Sequence, residues 1–247
     1  MKTLGITGGL SPESTRHYYE WICDDVRKTL GGLNYPEIVM ATVNQQFVYE
    51  NKKSGDWDAI AEKIISKAQL LERAGAEYLL IASNTMHNVA PQVEAAINIP
   101  LLHVADVTAK AVVAQGLTQV AMLSTIESAE LDFYKDRFIQ YGVELIFPKL
   151  KEEREAVDQI ICGELCKGEV SPDSKLYFIE QAEQMFDCGA QGLILGCTEV
   201  NMLVGQEDFS KPVFDTTKLH VDAAVSKILS AVPSQKKTLT HSSKHLS

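Results

Sequence analysis

One stretch of this chain occurs twice. Gly75-Ala76-Glu77-Tyr78-Leu79-Leu80-Ile81-Ala82-Ser83-Asn84-Thr85 aligns without a gap on Gly189-Ala190-Gln191-Gly192-Leu193-Ile194-Leu195-Gly196-Cys197-Thr198-Glu199, 114 residues further on. In each copy a Gly-Ala turn leads into an apolar run of strand length. The run ends in a small residue, then Ser83 or Cys197, then polar side chains. The same offset carries Ala59 onto Asp173, so the helical stretches leading into Gly75 and Gly189 also superpose. Leu4 to Gly9 and Val120 to Thr125 form a weaker pair of matching apolar runs. A duplication of this extent predicts two similar half-molecules.

The elements predicted along the chain alternate. Strands are expected at Lys2 to Thr7, Glu37 to Val43, Tyr78 to Ala82, Val120 to Leu123, Leu145 to Phe147 and Gly192 to Leu195. Helices are expected at Pro12 to Leu30, with Ser11 as cap and Pro12 as first helical residue, and at Asp56 to Arg73, where Ile60, Ile64, Ala68 and Leu71 recur at helical spacing. Further helices fall at Asn84 to Ile97, Ser128 to Tyr141, Arg154 to Cys166, Pro172 to Cys188 and Thr216 to Ala231. Gln45 to Gly55 reads as a mobile segment. Strands alternating with helices of these lengths mean an α/β protein with mainly parallel sheets. The expected organisation is an N-terminal α/β domain over 1–100, a C-terminal α/β domain over 101–215, a terminal helix over 216–231 returning to the first domain, and a disordered tail over 233–247.

With 247 residues and 45% hydrophobic content the chain can bury sizeable cores. A net charge of -10 argues against nucleic acid and an anionic membrane surface as partners. No apolar run approaches the roughly 20 residues of a membrane-spanning helix. Five cysteines without framework spacing, and no secretory signal at Met1-Lys2-Thr3, predict reduced thiols in a cytoplasmic protein.

The chemistry centres on the duplicated position. If the halves face each other, Ser83 and Cys197 approach one ligand from opposite sides. That geometry removes a proton from one face of a carbon and returns it to the other, as a racemase or epimerase must. Cys197 follows a strand and is expected to precede a helical turn, which would lower its pKa toward the thiolate. Ser83 is a far weaker acid than a thiol. Asn84, Thr85, Thr198 and Glu199 follow the two positions and can hold an α-carboxylate at helix N-termini, although plain N-caps would look the same. Gly8-Gly9 permits close backbone approach to a ligand, and Ser124-Thr125 at the equivalent place in the second half offers further donors. Cys23, Cys162, Cys166 and Cys188 read as packing residues, and Cys162-x-x-x-Cys166 lacks zinc spacing. His17, His87, His103 and His220 show no metal-ligand spacing and read as structural.

Through Gly8-Gly9-Leu10-Ser11 with Glu13-Ser14-Thr15, Ser83-Asn84-Thr85-Met86-His87 and Gly196-Cys197-Thr198-Glu199, the sequence resembles the Asp/Glu/hydantoin racemase superfamily, most closely its aspartate racemase branch. The resemblance covers essentially Met1 to Leu229. It implies two α/β domains related by pseudo-twofold symmetry with the active site between them. It further implies a homodimer, and racemisation of an acidic amino acid without pyridoxal phosphate or metal by two cysteines. Carried over, Cys197 is the second catalytic cysteine, while Ser83 stands where the first is expected. Gly9, Leu10, Asn84, Thr85, Thr125, Thr198 and Glu199 become substrate-binding residues, and Lys167 is a candidate cation for the side-chain carboxylate, with Lys52 and Lys53 as others. Three accounts of Ser83 stay open: an engineered replacement of cysteine, a natural hydroxyl-bearing enzyme favouring one direction, or a relative with another reaction, such as a single-cysteine malonate-type decarboxylase. A catalytically silent protein that binds acidic amino acids is the alternative outside enzymes.

Overall fold

The computed structural model describes residues 1–232; the tail expected to be disordered lies outside them. The first half runs β1 (Leu4–Gly8), α1 (Pro12–Leu30), β2 (Ile38–Thr42), α2 (Gln45–Ser54), α3 (Trp57–Arg73), β3 (Tyr78–Ile81), a short 3-10 turn (Thr85–Val89), α4 (Ala90–Ala96) and β4 (Leu101–Leu102). After α5 (Val104–Ala114) the order returns: β5 (Gln119–Leu123), α6 (Ile126–Glu130), α7 (Phe133–Ile139), β6 (Glu144–Ile146), α8 (Lys151–Gly163), α9 (Pro172–Asp187), β7 (Leu193–Leu195), β8 (Val213–Asp215) and α10 (Thr216–Leu229).

Both sheets are parallel and four-stranded, and their orders correspond: β2-β1-β3-β4 and β6-β5-β7-β8. The duplication reaches individual hydrogen bonds. Ala82 N donates to Thr7 O as Gly196 N donates to Leu123 O, and Leu79 N donates to Pro100 O as Leu193 N donates to Pro212 O. Gly75 and Gly189, which end α3 and α9, both hold the left-handed backbone (φ 93° and 106°) that favours glycine there.

Because each sheet is covered on both faces, its central strands are apolar throughout rather than alternating. Leu79 and Ile81 face a core with Ile60, Ile64, Ala68 and Leu71 of α3, while Leu80 packs with Tyr18, Ile22 and Val26 of α1 and Val221 and Ile228 of α10. In the second sheet Leu193 and Leu195 meet Val157, Ile161, Phe178 and Ala182 of α8 and α9, and Ile194 meets Tyr134 and Phe138 of α7. The last helix therefore covers the first sheet, and Ile228 O accepts from Lys2 N at 2.9 Å.

Several elements differ from expectation. Gln45 to Gly55 is not a loose segment: Asn44 caps a helix there by accepting from Gln46 N, and Gly55 closes it in the left-handed conformation. The expected helix Ser128 to Tyr141 is two short helices, α6 and α7, because the chain turns extended at Leu131 (ψ 139°). The expected helix from Asn84 starts as a 3-10 turn and becomes α-helical only at Ala90.

Candidate active site

Ser83 and Cys197 each sit two residues beyond the end of equivalent strands, β3 and β7, and both line one cavity of about 540 Å³. The cavity draws on both halves. Leu10, Ser11 and Ser14 come from the turn into α1, Val48, Tyr49, Lys52 and Lys53 from α2, and Thr125, Glu127, Asp158 and Ile161 from the second half. This placement beyond the carboxyl ends of parallel strands is where open α/β sheets bind ligands.

Glu199 governs Cys197. The Sγ–H points at Glu199 Oε2 at 3.0 Å, and the same oxygen accepts from Thr198 Oγ1 at 2.6 Å. The other oxygen accepts from Ser11 Oγ of the opposite half at 3.1 Å. Burial, followed by the nearby Glu199 charge, pushes the Cys197 thiol well above its ordinary pKa. The expected lowering is thus reversed. No α-helix follows Cys197 to supply a dipole, only a 3-10 turn at Val200–Met202, and a buried carboxylate faces the sulfur. At rest the residue is a thiol whose proton lies against an internal acceptor.

On the opposite wall, Ser83 Oγ makes no hydrogen bond among the described residues, while its backbone is fixed. Ser83 N donates to Ile81 O at 2.9 Å, and Ser83 O accepts from His87 Nδ1 at 2.8 Å. That ring nitrogen carries the proton because Nε2 accepts from Val104 N at 3.4 Å. His87 is wholly buried and held neutral, its pKa lowered by burial to about 4. It ties the Ser83 backbone to the start of α5, contacts that spacing alone did not reveal.

The remaining expected site residues divide. Leu10, Thr85, Thr125, Thr198 and Glu199 line the cavity. Thr85 Oγ1 lies 3.1 Å from Thr125 Oγ1 and 3.4 Å from Ser128 Oγ, a hydroxyl cluster across the two halves. Asn84 lines the cavity too, but its side-chain amide is taken up: Nδ2 donates to Thr216 Oγ1 at 3.1 Å and Oδ1 accepts from Tyr134 OH. Gly9 borders a neighbouring groove instead, and its N–H donates to Thr15 Oγ1 at 2.9 Å. Lys167 is exposed at the end of a 3-10 turn and does not line the cavity. The cavity's cations are Lys52 and Lys53. Lys52 crosses between the halves to Glu127 of α6 at 2.6 Å.

Cys162 and Cys166, read from the sequence as packing residues, line the same cavity. Cys162 is near the end of α8, which stops at Gly163 short of the expected Cys166, and Cys166 follows in a 3-10 turn; Cys162 Sγ lies 3.7 Å from Asp158 Oδ1. Glu127, Asp158, Tyr49 and Val48 were likewise missed. Only their position on the elements flanking the two strand ends marks them.

Known proteins agree with this architecture. The model of the Asp/Glu/hydantoin racemase family matches residues 7–224. A Yersinia pestis protein assigned to the Asp/Glu racemases is 40% identical, covers 93% of this chain and all of its own, and superposes with a TM-score of 0.88. An aspartate racemase homologue from Pyrococcus horikoshii OT3 is 32% identical over 92% of this chain and 99% of its own, with a TM-score of 0.81. The broad specificity amino-acid racemase RacX of Bacillus subtilis is 23% identical over 231 residues, 92% of this chain and 98% of its own. By the extent of the family match and of the first two likenesses, the chain belongs to the Asp/Glu/hydantoin racemase family.

Proposed function

We propose that the protein racemises an acidic amino acid, aspartate or glutamate, by proton transfer at the α-carbon, with the Cys197 thiol on one face of the substrate and the Ser83 hydroxyl on the other. The observation that carries this reading is the shared cavity: two acid/base-type side chains, at the same place in two copies of one fold, face a single space of about 540 Å³.

The chemistry follows from what each group can do. Glu199 takes the Sγ proton, and the thiolate so formed removes the α-proton of the L-substrate. The carboxylate gains enediolate character, which hydroxyl donors such as Thr85 and Thr125 stabilise. Each tenfold gain requires about 1.4 kcal/mol of binding realised only in the transition state. A proton delivered by Ser83 Oγ to the opposite face completes inversion; water reprotonates the Ser83 alkoxide, and the hydroxide left takes the proton held by Glu199, which returns the site to its starting state. Lys52 can exchange Glu127 for the substrate's distal carboxylate.

A serine hydroxyl is both a weaker acid than a thiol and a poor base toward carbon, so proton transfer at position 83 is the slow step in either direction. Deprotonation of the L-form by Cys197 is then fast and reversible, whereas every inversion event waits on position 83. The enantiomers are equally stable, so kcat/KM for inversion must be equal from either side. The asymmetry appears in exchange instead.

Proton NMR in deuterated water measures it. The L-substrate should lose its α-proton signal faster than it inverts, and the D-substrate should exchange slowly. Ser83→Cys should raise inversion, and Cys197→Ala should abolish exchange. Absence of exchange in all three forms would reject the racemase reading and bring forward decarboxylation by Cys197 alone, then ligand sensing.

A further inference from the structure

A second cavity, of about 520 Å³, shares no lining residue with the first. One wall is the segment His87 to Pro91 that follows the Ser83 turn; the other is the face of α7 bearing Asp136 and Arg137, with His103 between them at the start of α5. Arg137 stitches the walls together, reaching Asp106 of α5 at 3.0 Å and Glu94 of α4 at 2.8 Å.

The polar groups facing this space are incompletely matched. His103 is 3% exposed. Its Nδ1 caps α5 by accepting from Ala105 N at 3.2 Å, so the neutral ring carries its proton on Nε2. That N–H has no hydrogen-bond partner among the described residues. The ring lines the cavity, and this N–H is open to it rather than sealed in the core. The Arg137 charge is already offset by two carboxylates. Asp136 has no cationic partner among the described residues, and neighbouring Asp132 has only Lys135 at 3.7 Å. The space therefore presents an unpartnered neutral donor at one place and an exposed carboxylate without a cationic partner among the described residues at another, next to the ring of Phe133.

We propose that this cavity is a second small-molecule site that takes an amino-acid-type zwitterion, its carboxylate on His103 Nε2–H and its ammonium on Asp136, and that filling it adjusts Ser83. The connection is short. His87 borders the cavity, its Nδ1–H holds Ser83 O, and its Nε2 accepts from the N–H of Val104, the residue after His103. A ligand that draws on the His103 ring pulls on the hydrogen bond that orients the His87 ring.

Calorimetric titration of the full chain with β-alanine, a zwitterion with no α-stereocentre, tests this directly and needs no turnover, so it stands or falls apart from the racemase reading. The forms compared are the parent, His103→Asn, Asp136→Asn and Cys197→Ala. Asparagine keeps an N-cap oxygen for Ala105 N while removing the ring N–H, and Asp136 is exposed, so its replacement leaves the core untouched. Millimolar binding should persist in Cys197→Ala and weaken at least tenfold in both His103→Asn and Asp136→Asn. In the parent alone, β-alanine should also change the α-proton exchange rate of the L-substrate. No heat in any form, or binding that follows Cys197 rather than His103 and Asp136, would overturn the proposed site; in a parent that exchanges, a rate unaltered by a saturating probe would overturn its link to Ser83.

Discussion

In the proposed reaction Glu199 is the residue on which Cys197 turns, because its charge helps hold the thiol protonated and its carboxylate lies where it can take the proton. Glu199→Gln separates these effects. Removing the charge takes away one of the causes that hold the thiol up, so the Cys197 pKa should fall toward its ordinary range, with burial still keeping it raised. The amide cannot accept the thiol proton as a base, so α-proton exchange should drop on the order of a hundredfold, within the usual range for loss of a general acid or base. Alkylation of Cys197 followed by peptide mass spectrometry across pH checks the first effect: the alkaline onset must move to lower pH. An onset that moves upward would mean that Glu199 stabilises the thiolate instead. Neither effect was legible in the sequence. Adjacency placed Glu199 among the ligand donors, while its actual contacts depend on how the chain turns after β7 and on Ser11, which lies 188 positions away.

At the scale of elements, Ser11 serves two roles. Its hydroxyl accepts from Ser14 N as the cap of α1 and donates to Glu199 Oε1 of the other half. Ser11→Ala should cost about 1 kcal/mol for the cap, a fall of roughly 2–4 °C in the thermal midpoint for a chain of this size. Ser11→Asp restores a capping oxygen but brings a second carboxylate against Glu199, so it should recover less stability than Ser11→Asn. Equal recovery by the two would show that Ser11 acts on α1 alone. The cap was readable because its signals, serine before proline before a periodic run, are local. So were the bounds of α1 and α3, where Ile60, Ile64, Ala68 and Leu71 mark the buried stripe. The elements that escaped are those that lack local signals. The β4 strand has two residues and the β8 strand three, each defined by pairing with a central strand. The α5 helix, apolar on most sides because it packs between α7 and α10, shows little helical periodicity. The α2 helix is polar, with Val48 as its buried residue, so nothing in its pattern distinguishes it from a loop.

Across the whole molecule, three buried histidines meet behind the site, and their protonation sets how acid affects the fold. The His87 ring centroid lies 4.6 Å from that of His103 and 5.7 Å from that of His220. His220 Nε2 donates to Leu102 O at 2.7 Å, which leaves Nδ1 to accept from Tyr18 OH at 3.0 Å. Burial lowers the pKa of His87 to about 4 and of His220 to about 3, and pushes His103 down further. The unfolded chain protonates each at about 6.5. Below that pH the unfolded state binds protons that the native state refuses, so stability falls as pH drops, at no more than about 1.4 kcal/mol per pH unit for each histidine. The loss levels off for His87 near its folded pKa and for His220 lower still. Asp25, whose carboxyl is held low by its hydrogen bond to Lys218, adds loss in the same direction under more acid conditions. Asp158, raised by burial, opposes it. Urea midpoints measured at about pH 7, about 5.5 and about 4.5 should therefore decline steadily. His220→Gln, whose amide can still donate to Leu102 O and accept from Tyr18 OH, should start lower at neutral pH but decline less steeply, because one of the three groups no longer charges on unfolding. Parallel declines in the two forms would place the acid sensitivity in the carboxylates and not in this histidine cluster.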